Sequence, residues 1–119
     1  MISKFGLYVR FIREKENDSL RKMADKLNVS AAFLSAMEVG RKTIPIEYAK
    51  KIKKIYSLSD EETEKLENSI YETNERVPLE LDLMNEAQRD VSLLFARKIK
   101  NADEELLNKL KEALLDEEN

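Results

Sequence analysis

Residues 18–45, DSLRKMADKLNVSAAFLSAMEVGRKTIP, constrain this chain more than any other stretch. Met23, Ala24 and Leu27 recur at the spacing of one helix face, Val29 follows in a turn, and Leu34 and Met37 sit three apart beyond it. These positions make the shared seam of two short helices that cross steeply. Ala24 lies mid-seam, where only a small side chain lets the second helix come close. Asn28 falls at the turn, and Asn tolerates left-handed backbone at a helix end. Ser30 is a good N-cap for the helix that follows.

That layout is the helix-turn-helix unit, whose second helix enters the major groove of DNA. The charge distribution agrees with it. Residues 1–56 carry 13 Lys/Arg against 6 Asp/Glu, and residues 57–119 carry 8 against 18, which gives the net −3. A basic front half joined to an acidic back half predicts one surface for phosphates and another for a different partner. The absence of Cys and His excludes a disulfide framework, a thiolate or imidazole metal site and any catalysis that needs those groups. The chain has no run of 18 apolar residues, and MISKFGLYVR lacks an apolar signal core, so the expectation is a cytoplasmic protein with no membrane partner.

Periodicity predicts an all-α chain. The first helix runs from about Ser3 to Glu16, with Phe5, Tyr8, Val9 and Ile12 on one face and Leu7 and Phe11 widening it, and Asn17-Asp18 breaks it. The second runs from Asp18 or Ser19 to Leu27, and the third from Ser30 to about Val39, with Gly40 as its stop. Pro45 is placed in the first turn of a fourth helix that buries Ile46, Ala49, Ile52 and either Ile55 or Tyr56. Ser59-Asp60-Glu61-Glu62 reads as a capping box opening a fifth helix that reaches Asn74, with Leu66, Ile70 and Thr73 inward. Residues 1–76 then form a DNA-binding domain, and 77–119 an extension. Val77 to Leu83 alternates apolar and polar, which suits either an extended linker or a short strand paired with its own copy in a second subunit. Asn85-x-x-Gln88 opens a helix over Glu86 to Lys100 with Val91, Leu94, Phe95 and Ile99 on one stripe. A last helix, Asp103 to Glu117, carries Leu106, Leu107, Leu110 and Leu114. A hairpin of this size cannot bury both stripes by itself, so Val91, Leu94, Phe95, Ile99, Leu106 and Leu110 are the expected dimer interface.

Across roughly residues 4–66, Arg10 and Arg13 together with LRKMADKLNVSAAFLSAMEVGRKTIP resemble the Xre-type regulators, the Cro and phage-repressor-like helix-turn-helix family. The resemblance implies a five-helix lambda-repressor-like DNA-binding domain, here with a C-terminal helical extension. It implies a transcriptional regulator, a repressor acting on double-stranded DNA as a homodimer, with half-sites about 34 Å apart. It also implies that Arg41 and Lys42, in the loop after the reading helix, meet phosphates, that Lys22 does so from the second helix, and that Glu38 pairs with Arg13. The plainer alternative for each lysine and for Arg41 is a solvated charge. Positions that carry Gln, Arg, Thr or Tyr in the family are Ala31, Ala32 and Phe33 here. Base contacts would then fall to Ser30 and Ser35, with methyl contacts from Ala31 or Ala32 to thymine.

No cofactor and no enzymatic activity are expected. Asp60, Glu61, Glu62 and Glu64 look like metal ligands, but acids at a helix start are ordinary capping and dipole chemistry. Gly6 and Gly40 are the only glycines, so no phosphate-binding loop exists. A second functional reading stays open. The acidic tail resembles extensions on antitoxin-like regulators, and the chain then neutralises a basic toxin protein while regulating its own operon.

Overall fold

The computed structural model describes residues 1–116, which fall into two units, Met1–Val77 and a second that begins at Pro78. Among the described residues there are seven α-helices and no strand. The first unit holds α1 (Lys4–Lys15), α2 (Leu20–Leu27), α3 (Ala31–Glu38), α4 (Glu47–Tyr56) and α5 (Asp60–Asn74). The second holds α6 (Glu86–Lys98) and α7 (Glu104–Asp116), with single turns of 3-10 helix at Leu81–Leu83 and Ile99–Asn101.

Local chemistry accounts for the starts and stops. The hydroxyls of Ser3, Ser19, Ser30 and Ser59 each accept a backbone N–H of the first turn they open, and Ser59 with Glu62 completes a capping box. Asn28 ends α2 in the left-handed region, at φ 62°. Gly40, at φ 79°, lies just past α3 and turns the chain toward the loop.

The apolar stripes meet in one core. Phe5, Met23, Leu34, Met37, Ile44, Ile52, Leu66 and Ile70 are buried there, with Val9, Ile12, Ala24, Leu27 and Ala49 filling between them. α1 packs on α3 and α5, α2 on α3 and α4, and α4 on α5. The end of α5 adds polar ties. The Phe5 backbone N–H donates to Thr73 Oγ1 at 3.1 Å, and the Asn74 amide both donates to and accepts from the Ile44 backbone at 2.9 and 3.0 Å.

Four sequence expectations need correction. Leu7 and Phe11 are exposed, so they do not widen the inner face of α1. α4 begins at Glu47, not at Pro45, because Tyr48 and Ala49 bond back to Pro45 and Ile46 three residues earlier, a tighter turn than an α-helix. Its inward face closes on Tyr56, while Ile55 stays half-buried. Residues 77–83 form no strand. The segment carries a 3-10 turn, with Val77, Leu79 and Leu83 exposed and Leu81 half-buried. The helix expected over 86–100 stops at Lys98, where the backbone tightens to 3-10. Glu117, expected to close α7, lies outside the described residues.

In the second unit, Asn85 and Gln88 form another capping box, and Asp103 accepts the Leu106 N–H at 2.9 Å at the start of α7. Val91, Leu94, Phe95, Ile99, Ala102, Leu106 and Leu110 line an apolar groove of about 160 Å³ together with Lys98. Phe95 is 39% exposed and Val91 67%.

Candidate nucleic-acid interface

α3 is amphipathic in a way that decides what it can present. Leu34, Met37 and Glu38 are buried on one side. Ala31 and Phe33 are half-buried and pack on the core. Ala32, Ser35, Ala36 and Val39, at i, i+3, i+4 and i+7, make the outward stripe; Ala32 is exposed and the others half-buried. Ser30 is exposed at the helix start, with its oxygen already accepting the Phe33 N–H at 3.0 Å.

Glu38 is the one acid on α3, and it faces inward with 3% of its side chain exposed. The Arg13 guanidinium, itself 10% exposed, grips it through Nη1 to Oε2 and through Nη2 to Oε1 at 3.3 Å. Arg13 also reaches Met23 Sδ at 3.6 Å, so the pair joins α1, α2 and α3. Arg10 approaches the same carboxylate from solvent, Nε to Oε1 at 3.5 Å. The negative charge is thereby removed from the outer face and compensated where it lies.

The basic side chains divide into committed and free. Lys22 and Lys26 lie 3.6 and 2.6 Å from the Asp18 carboxylate, and Lys53 lies 2.6 Å from Asp60. Arg41 and Lys42, exposed directly after α3, enter no ion pair among the described residues. Lys22 keeps 62% of its side chain exposed, so its charge stays accessible although partly neutralised.

Asp18 was not singled out from the sequence as a site residue, yet it organises the base of α2. Its side chain is 2% exposed and accepts the Tyr56 hydroxyl at 2.8 Å as well as Lys26. Hydrogen bonds from Lys26 and Tyr56 hold its carboxyl below the ordinary range. Burial, then the bond to Asp18, pushes the Tyr56 hydroxyl well above its own. Gly6 was missed as well. A Cβ there would stand 2.2 Å from the Glu38 carbonyl oxygen, so α1 and the end of α3 can touch only because position 6 lacks one. Ser3 uses that approach, donating its N–H and hydroxyl to the same carbonyl at 2.9 and 2.8 Å. A glycine inside a helical pattern costs about 1 kcal/mol against Ala, and that cost was the available signal.

No helix among the described residues is long and apolar enough to cross a membrane. Asp60 is held by Lys53, and Glu62 closes its capping box. Among known proteins, residues 9–62 match the profile of a helix-turn-helix family, a stretch that runs from α1 into the first turn of α5. No curated protein and no solved structure matches the chain. Over residues 9–62 the chain is thus similar to the Xre and lambda-repressor-like helix-turn-helix family, whose members are DNA-binding regulators.

Proposed function

We propose that this DNA-binding regulator is a repressor that acts as a homodimer, with α3 in the major groove and Arg41 and Lys42 on the flanking phosphates. The observation that carries this reading is the outer side of α3: no carboxylate stands on it, and the two cations of the loop after it are unpaired among the described residues. Lys22 is a third phosphate contact, weakened by Asp18. The family is regulatory rather than typically enzymatic, so binding rather than chemistry is its action.

A second copy of the chain is the occupant of the α6–α7 groove. Its lining of Val91, Leu94, Phe95, Ile99, Leu106 and Leu110 is apolar with Lys98 as the one charged side chain, and several of these side chains stay exposed in one chain, which suits the same apolar face of a second copy. The same groove, on an acidic tail, supports a second reading in which a basic toxin protein takes that place. Co-purification with the product of a neighbouring small basic reading frame would favour it.

Salt titration tests the DNA-binding surface. With about three phosphate contacts per subunit, the slope of log K against log salt for duplex DNA is about −5. A flat response contradicts the basic-face argument.

A further inference from the structure

The outward stripe of α3 is chemically unusual for a helix that reads bases. Ala32, Ser35, Ala36 and Val39 offer two methyls, one hydroxymethyl and one isopropyl group. No amide, guanidinium, ammonium or carboxylate stands among them, and Glu38 is turned away to Arg13. Bidentate pairing with adenine or guanine needs an amide, a guanidinium or an ammonium, so hydrogen-bond readout from this face is limited to Ser35 and the capping hydroxyl of Ser30. Phe33, the one large side chain near the helix start, packs on the core and leaves the stripe small. A helix with so little side chain on its outer face can sit deep in the groove.

One group on a major-groove edge complements such a surface: the C5 methyl of a pyrimidine. We infer that α3 is a reader of pyrimidine methyl groups, selecting duplexes by where the C5 methyl of thymine lies under Ala32, Ala36 and Val39. The inference rests on the placement of α3 in the major groove proposed above. It carries a consequence that hydrogen-bond readout would not. 5-Methylcytosine presents the same methyl at the same position, so the protein discriminates methylated from unmethylated cytosine at those steps and takes methylated DNA as a ligand.

Burying one methyl is worth roughly a fourfold change in affinity. The test begins with the full-length protein and a duplex selected from random sequence. Each thymine is then replaced in turn by deoxyuridine, which removes the methyl and keeps the base pair. Two or three adjacent replacements per half-site are expected to weaken binding about fourfold each, and replacements outside that footprint to leave it unchanged. At one sensitive position, 5-methylcytosine–guanine is expected to bind more tightly than cytosine–guanine. Ala32→Gly removes the protein's methyl from an exposed position, and the thymine-over-deoxyuridine ratio at the step beneath it is expected to fall toward one. Equal affinity for thymine and deoxyuridine at every position, with tight binding of the selected duplex, overturns methyl reading and leaves DNA binding standing. Failure to bind any duplex at low salt overturns the placement of α3 and the methyl inference together.

Discussion

The buried charge pair shows how one residue can matter to binding without touching a ligand. Glu38 sits on α3, the helix proposed to enter the groove, where an exposed carboxylate would repel phosphate. Arg13 draws it into the core at 2% exposure of the whole residue. A buried pair of this kind contributes little net stability, because desolvation offsets attraction, but leaving one partner alone is costly. Arg13→Ala and Glu38→Ala are each expected to lose about 3–5 kcal/mol in denaturant unfolding, and the double variant less than the sum. Additive losses would mean that the two side chains do not interact in solution. Arg10, more than half exposed, shares the carboxylate from outside and is expected to matter far less.

At the scale of elements, much was legible because capping and periodicity are local. Ser19, Ser30 and Ser59 open helices as hydroxyls at those positions do, and the stripes containing Phe5, Met23, Leu34, Ile52 and Leu66 face one core. What was not legible depends on distant neighbours. Residues 77–83 alternate like a strand, but nothing in the sequence says whether a partner edge exists, and the segment forms a 3-10 turn. Gly6 is adjacent to nothing in sequence that explains it, because its reason is the Glu38 carbonyl 32 positions later. Asp18 reads as a helix breaker, and its bond to Tyr56 on α4 emerges only from the fold. In the candidate site, the resemblance pointed to Arg41, Lys42, Ala32 and Ser35, whereas Ala36 and Val39 beside them, and which lysines are already paired, emerge only from the fold. Gly6→Ala is expected to force α1 from the end of α3 and cost about 1–3 kcal/mol. Thermal unfolding measures this. An unchanged or raised midpoint would show that α1 shifts freely and that the close approach at Ser3 and Glu38 is not fixed.

For the whole molecule, the two units divide the work in this account: the first presents α3, and the second brings two copies together. The groove centred on Phe95 is apolar, and Val91, Leu94 and Phe95 along it are exposed. Aromatic anchors dominate interface energetics, so Phe95→Ala is expected to weaken association by about 2 kcal/mol or more. The parent chain is expected to sediment as a dimer, and this variant as a monomer at the same concentration. A chain ending after Val77 keeps Thr73 and Asn74, whose bonds to Phe5 and Ile44 tie the first unit together, and is expected to be monomeric. Dimers of that shortened chain at micromolar concentration would place the interface in the first unit instead.

The central claim is that α3 and the loop after it face DNA, and replacing Arg41 and Lys42 together by Glu tests it most directly. Both are exposed and unpaired among the described residues, so circular dichroism of the double variant should match that of the parent chain. Its affinity for duplex DNA should fall for every sequence alike, and the salt slope should lose about four contacts across a dimer, dropping from about −5 to about −2. An unchanged affinity with an intact fold would contradict the account, because it would put the DNA on another face of the protein.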